Sequence, residues 1–402
     1  MAMRLPGLRA AHRRDARSCS ILVAMRFVCY LFLAAGLQAA AGQAPAQSPS
    51  ANVDELLSRG IAAQQHGDYK TAIEDYRKVL ALQPGLAEAR ANLGVALAAT
   101  GQFDAAIEED KRALAAAPNK TALRMNLALA YYKKGDMDRA HSEFEAVRAA
   151  NPPPPLNLSA AVLLGYTDIK LDKEADAAAL LAPLEPGHES NMDLEYVLAF
   201  ALIQTGKESE GIPRMEKVAR ATRSADAYVI AGSSRMSRRE FREARIDLDA
   251  AVELDPSLPG VNTLAGQARD ALGDTEASVP AFQAALRQDP RDFTANLYLG
   301  TIRLKQRDFE SARPLLELAV QLQPAAPLPR FEMAKLNGMT GRYAEAAATL
   351  EDLEKSDPNW LDPHVELAAV YYKLHRPEDG QREREIVQQI ESKQQKAGPP
   401  KQ

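Results

Sequence analysis

The chain has 402 residues, of which 46% are hydrophobic and 26% charged, the balance of a folded soluble protein and not of a disordered or collagen-like one. One Trp, 12 Tyr and 10 Phe serve that whole length, so the core has to be aliphatic and rich in Ala. The formal net charge is −5, but six arginines and one acid sit in residues 1–44, which leaves a body at −10, a poor general binder of nucleic acid because phosphate neutralisation dominates that affinity.

In chain order, the first element is a leader. Residues 27–41 (FVCYLFLAAGLQAAA) are uncharged and mostly apolar, follow Arg26, and run into small residues, with Ala39-Ala40-Ala41 or Gly42-Gln43-Ala44 at an A-x-A-like cleavage point. This layout predicts a secretory signal peptide over 1–44, with Met25 as an alternative start. A retained N-terminal anchor is the competing reading, although the run falls short of the about 20 apolar residues that span a bilayer. Arg13-Arg14 lacks the rest of a twin-arginine pattern, and Cys29 lacks the small residues that precede a lipidated cysteine. Cys19 and Cys29, the two cysteines, both fall in the leader, so the exported body holds together without disulfides in a compartment that permits them. The expected location is periplasmic or secreted, and residues 45–52 (PAQSPSAN) read as a Pro/Ser linker.

From Val53 onward one pattern repeats every 34 residues. Segments begin at Val53, Ala87 and Thr121, resume at Leu158 and Met192 after the Pro152–Pro155 run, and continue from Ala225 at Pro259, Phe293, Pro327 and Leu361. Position 8 of every segment is Gly or Ala, and position 20 is Ala, Gly or Ser. Position 32 is Pro in seven: Pro84, Pro118, Pro152, Pro256, Pro290, Pro324 and Pro358. Such spacing predicts two antiparallel helices per segment, closest at the small residues. The turn between them carries a helix-ending glycine such as Gly67, Gly101 or Gly341, and Pro stops the second helix. Aromatics at position 17 (Tyr69, Phe103, Phe241, Phe309, Tyr343) seal each pair. Only a neighbouring segment can cover the apolar face each pair leaves open.

These residues resemble the tetratricopeptide repeat (TPR) family, which places small residues at 8 and 20 and Pro at 32. The resemblance covers 53–394 and implies an all-α fold, a right-handed α-solenoid of antiparallel helix pairs, the TPR superhelix. Position 4, large and apolar in the family, is Arg90, Arg124, Glu195, Asn262, Asn296 and Arg330 here. The organisation expected is repeats 1–3 over 53–157 with the Pro-rich insertion at 152–155, degenerate repeats 4–5 over 158–224, and repeats 6–10 over 225–394. The degenerate repeats are expected to form a bend or joint around 152–191. A polar capping helix over 378–394 and a solvated tail over 395–402 end the chain.

Catalysis finds no foothold. The body's five histidines (His66, His141, His188, His364, His375) are well separated, and no H-E-x-x-H, C-x-x-C, G-x-S-x-G or P-loop pattern is present. Ala231-Gly232-Ser233-Ser234 has the small residues of a nucleophile elbow but occupies repeat positions 7–10, where Gly232 has a packing role. No enzyme activity, metal or cofactor is expected.

Binding surfaces remain. In TPR arrays positions 2, 5, 6, 9 and 12 of the first helices face a concave groove; by that register the partner-binding candidates are Asn92, Asn126, Tyr132, Tyr196, Phe200, Tyr298, Phe331, Lys335 and Tyr372. Asn92 and Asn126 resemble the amides with which family members hold an extended peptide, or are plain helix-surface residues; the aromatics are either ligand anchors or packing. Arg235, Arg269 and Arg303 recur at position 11 and either form an anion-binding row or cover apolar surface and pair with acids such as Asp270. Residues 214–245 hold Arg214, Lys217, Arg220, Arg223, Arg235, Arg238, Arg239, Arg242 and Arg245 against four acids, a docking patch for an acidic partner or anionic surface or a solvated face. The carboxylate clamp of chaperone-binding members needs Lys at 5 and Asn at 9. Leu57 and Ile61 stand there in the first repeat, Asn92 matches the next clamp position, and Ala122 and Asn126 replace the basic pair. Peptides of cytosolic chaperones are therefore excluded, by these residues and by the leader. The expected function is a non-catalytic adaptor of a bacterial cell envelope that binds proteins or extended peptides. A glycan- or polymer-binding module is the alternative.

Overall fold

The computed structural model describes residues 49–397, and among them the regular structure is entirely helical. Residues 1–48, which include the expected leader, and 398–402 lie outside the described residues. In order, the helices are α1 (Pro49–Gln65), α2 (Tyr69–Leu82), α3 (Ala87–Ala99), α4 (Phe103–Ala116), α5 (Thr121–Lys134), α6 (Met137–Ala149), α7 (Leu156–Lys170), α8 (Glu174–Leu181), α9 (Met192–Gln204) and α10 (Glu208–Thr222). There follow α11 (Ala225–Ser237), α12 (Phe241–Leu254), α13 (Val261–Ala271), α14 (Thr275–Gln288), α15 (Phe293–Lys305), α16 (Phe309–Leu322), α17 (Pro327–Met339), α18 (Tyr343–Ser356), α19 (Leu361–Lys373) and α20 (Pro377–Ala397). Helix boundaries follow the 34-residue frame, and the all-α architecture of helix pairs agrees with the sequence reading.

Three boundaries differ. Helix α1 starts at Pro49, inside the segment read as a linker, because Pro fits a first helical turn whose N–H groups have no partner anyway. Helix α20 continues through Ala397, since nothing in SKQQKA breaks a helix before Gly398. Two compact units divide between Ser234 and Arg235, within α11, and not at 152–191. There the chain only loses helix: α8 is eight residues long and passes into a 3₁₀ turn at Ala182–Leu184, as Pro183 cannot donate to the helical ladder.

Inside each unit every helix packs on the next, α1 to α10 in the first and α12 to α20 in the second, and Ala227, Ile230 and Ala231 of α11 join the apolar cluster of α10. The small residue at position 8 has a more specific role than close backbone approach. A Cβ at Gly60, Gly165, Gly266 or Gly300 would come within 2.7–2.9 Å of the side chain of Tyr76, Leu181, Phe282 or Leu316. Position 8 is therefore the seat of the side chain at position 24. At position 20 backbone approach holds at Gly211, where a Cβ would lie 2.7 Å from the Ala199 carbonyl oxygen, whereas a Cβ on Gly380 would meet the Tyr372 ring at 3.0 Å.

Position 15 is left-handed in all ten repeats. Gly67, Gly101, Gly135, Gly206, Gly273 and Gly341 take it with φ of 77–88°, while Asp172, Arg239, Arg307 and His375 hold φ of 58–62°. One residue later, Asp68, Asp136, Asp274 and Asp308 accept a hydrogen bond from the N–H three residues on, opening the second helix. A side chain at φ near 60° costs on the order of 1 kcal/mol. Arg307→Gly is thus expected to stabilise the chain by about 1 kcal/mol in thermal unfolding followed by circular dichroism, and a lower midpoint would contradict this account of the turn.

Candidate functional site

Each unit presents a row of first helices, and the groove candidates divide between them. In the first unit Asn92 on α3 is half-buried, whereas Asn126 on α5 is buried with its Oδ1 lacking a hydrogen bond. Tyr132 wedges into the apolar clusters on either side of α5. On α9, Phe200 is buried and Tyr196 stacks on Tyr166 with centroids 6.2 Å apart. In the second unit Tyr298 stacks on Phe282 at 5.3 Å, and Phe331 is buried against Trp360 at 5.1 Å. Lys335 lies with Nζ 5.4 Å from the Phe331 ring centre and 3.4 Å from Glu332. Tyr372 is 40% exposed, and Val365, two helical turns before it on α19, is 48% exposed. Of the six candidate aromatics, Tyr372 is the one left exposed, with one side of its ring against Gly380 of α20; the other five are held in packing.

The arginines are engaged within the fold. Arg235 Nη1 lies 3.2 Å from Asp247, Arg269 Nη2 donates to Asp249 at 2.6 Å, and Arg303 donates to Gln306 at 3.0 Å with Asp308 at 4.0 Å. Asp270, the acid suggested by the sequence, instead accepts from Thr275. A row of open guanidinium forks is therefore not what this arrangement offers.

The basic segment is also reassigned in part. Arg214 and Lys217 converge on Glu195, a fully buried carboxylate on α9, at 3.1 and 2.6 Å, and Arg214 also reaches Glu185 at 2.7 Å. Both cations neutralise a charge that water does not reach. The Glu185 and Glu195 carboxylates in turn hold the Arg214 guanidinium above its ordinary range. Arg220 pairs with Glu216, Arg238 with Glu240 and Arg245 with Asp249. Arg223, Arg239 and Arg242 are exposed, Arg223 and Arg239 both in left-handed turns. Arg220 and Arg223 belong to the first unit and Arg238, Arg239, Arg242 and Arg245 to the second.

Glu195 belongs to a pattern that explains the polar residues at position 4. Four reach position 23 on the second helix, 19 residues on: Arg90 to Glu109 at 2.6 Å, Arg124 to Glu143 at 2.9 Å, Glu195 to Arg214, and His364 to Glu383 at 2.8 Å. Several also tie down the preceding Pro, whose carbonyl oxygen accepts from Arg90 (Pro84, 2.7 Å), Asn262 (Pro256, 2.9 Å) and Asn296 (Pro290, 3.0 Å). Arg330 diverges, pairing with Asp352. A polar staple thus replaces the family's apolar residue. The 19-residue complementarity is visible in the sequence once position 4 is compared with position 23.

Three acids whose carboxyls burial pushes well up escaped sequence reasoning. Asp110 occupies position 24 opposite Gly94, is buried, and has an unpartnered Oδ1; burial pushes its carboxyl up to about 8. Burial likewise holds Asp168 up to about 6, despite His141 Nε2 at 3.0 Å. Burial and the facing Glu383 carboxyl raise Glu354 to about 8. Glu354, His364 and Glu383 offer ligand atoms within 4.8 Å of one another. Among the described residues no helix is long and apolar enough to cross a membrane.

Family models described as tetratricopeptide repeat match residues 57–121, 125–184 and 263–327, and a second such model matches 303–370. The chain is 25% identical over 164 residues to DnaJ homolog subfamily C member 7 of Homo sapiens, a match covering 38% of this chain and 33% of that protein. Anaphase-promoting complex subunit 3 of Schizosaccharomyces pombe is 21% identical over 187 residues, covering 38% and 28%. The chain thus spans about a third of the length of the curated relatives it matches. Among solved structures, YrrB, described as a TPR protein with an unusual peptide-binding site, is 22% identical with a TM-score of 0.39, covering 44% of this chain and 91% of its own. The Cut9–Hcn1 assembly of the APC/C is 13% identical with a TM-score of 0.41, covering 85% and 87%. With models of one repeat family covering more than half of its length, and its helix pairs falling on that repeat's register, the chain belongs to the tetratricopeptide repeat family.

Proposed function

We propose that this chain is a non-catalytic scaffold of a bacterial cell envelope, exported by its leader, which binds partner proteins or extended peptides along the first-helix face of its repeats. A tetratricopeptide scaffold is compatible with an adaptor of this kind. The observation that carries the reading is the Val365–Tyr372 pair: two large apolar side chains seven residues apart on one face of α19, 48% and 40% exposed, at groove positions of the last repeat. An aromatic and an aliphatic anchor left open on a first helix suit the centre of a protein interface. The glycan alternative requires several open rings for sugar stacking, and five of the six candidate aromatics are engaged in packing.

The test places a photo-crosslinking residue at position 365 or 372 of the full chain in its native envelope and identifies the adducts by mass spectrometry. A recurrent polypeptide is expected from both positions, with capture reduced about tenfold or more by Val365→Asp or Tyr372→Asp. Recovery of polysaccharide or lipid alone would replace the adaptor with the glycan or membrane-surface reading.

A further inference from the structure

Three side chains from three successive helices meet inside the last two repeats: Glu354 near the end of α18, His364 in the first turn of α19, and Glu383 in the second turn of α20. His364 Nδ1 lies 2.7 Å from Glu354 Oε1 and 2.8 Å from Glu383 Oε2. One imidazole nitrogen donates one hydrogen or presents one lone pair, so it cannot serve two carboxylate oxygens together. Accordingly Glu354 Oε1 is buried without a hydrogen-bond partner. His364 Nε2 faces the Pro358 carbonyl oxygen at 3.1 Å. A carbonyl only accepts, so Nε2 carries a hydrogen, and an ion at Nδ1 would replace the hydrogen that Nδ1 and Glu383 Oε2 share across 2.8 Å. Metal-bound histidines are held this way, the far N–H tied to a carbonyl that fixes tautomer and ring orientation. His364 and Glu383 are only 4% and 7% exposed, so a cation would offset charge that solvent hardly screens.

We infer that Glu354, His364 and Glu383 form a binding site for a divalent transition-metal ion of the Zn²⁺ type, which ties α20 to α18 and α19. The ligands are His364 Nδ1 and one oxygen from each carboxylate, with solvent in the fourth position. Imidazole favours this class over Mg²⁺ and Ca²⁺, which take larger sets of oxygens. Ligand atoms around tetrahedral Zn²⁺ stand about 3.3 Å apart, so the 2.7 and 2.8 Å contacts lengthen by roughly half an ångström on binding, a shift that rotation of two glutamate side chains supplies. His364 and Glu383 occupy positions 4 and 23, the staple positions of the other repeats, which makes the ion a structural clamp on the terminal pair and separates it from the groove.

The experiment titrates chelator-treated full chain with Zn²⁺ by calorimetry, measures bound metal after dialysis by atomic spectroscopy, and uses Co²⁺ to report tetrahedral coordination from its visible bands. One ion per chain is expected, with a melting temperature that rises with Zn²⁺ concentration. His364→Gln and Glu383→Gln should each weaken binding by at least about 100-fold, whereas His141→Gln, whose ring contacts Asp168 in another repeat, should leave it unchanged. Should His364→Gln or Glu383→Gln lose its helical circular dichroism, Glu354→Gln, the least buried ligand, carries the test. Wild-type chain without bound metal after dialysis, or binding that survives substitution of the ligands, would overturn the assignment.

Discussion

Asp110→Leu is expected to stabilise the chain at pH 7 by several kcal/mol, on the order of 3. In four other repeats position 24 carries a large apolar or aromatic side chain laid over the glycine at position 8; Leu181 over Gly165 and Leu316 over Gly300 make the arrangement with Leu itself. Asp110 sits in the same seat over Gly94, with one oxygen buried and unpartnered, so the folded chain keeps the carboxyl protonated up to about pH 8. The folded value lies above that of the unfolded chain, near 3.9. Its contribution is therefore fully present below about pH 4, declines as pH rises toward 8, and levels off above. Urea unfolding of wild type and variant at pH 5 and pH 8, followed by circular dichroism, checks both parts. The variant should be the more stable at each, with the gap wider at pH 8. A gap that is absent, or equal at the two values, would sink the account.

The opposite sign is expected when both cations of the Glu195 cluster are removed. Arg214→Leu with Lys217→Leu leaves a fully buried carboxylate without a counter-charge, a change that costs about 3–5 kcal/mol. Either single replacement should cost less, because the remaining cation still stands within 3.1 Å of an oxygen. Adding Glu195→Leu to the double variant should recover most of the loss, since an apolar group in a dry site needs no partner. Thermal unfolding of the four variants and the wild type decides it. A double variant as stable as wild type would return Arg214 and Lys217 to the docking patch.

Both effects sit where the repeat frame was legible and its contents were not. The 34-residue period, the small residues at 8 and 20, the Pro stops and the glycine turns follow from rules acting within a few turns of one helix pair, so they read directly from spacing. Even there the turn was underestimated: Asp172, Arg239, Arg307 and His375 adopt the left-handed conformation of the glycines, because the capping geometry imposes it whatever residue is present.

The amino-acid sequence by itself determined that this chain is an array of ten helix pairs and where each pair turns. Only the tertiary structure decided what the polar residues do. Arg214 and Lys217 became the neutralising shell of Glu195, Arg235 and Arg269 became partners of Asp247 and Asp249, and five of six groove aromatics became packing. The reason is physical. A helix pair's apolar period is a property of neighbouring residues, whereas the role of a charge depends on burial and on partners 12 to 29 residues away, reached across helices whose facing register only the packed fold supplies.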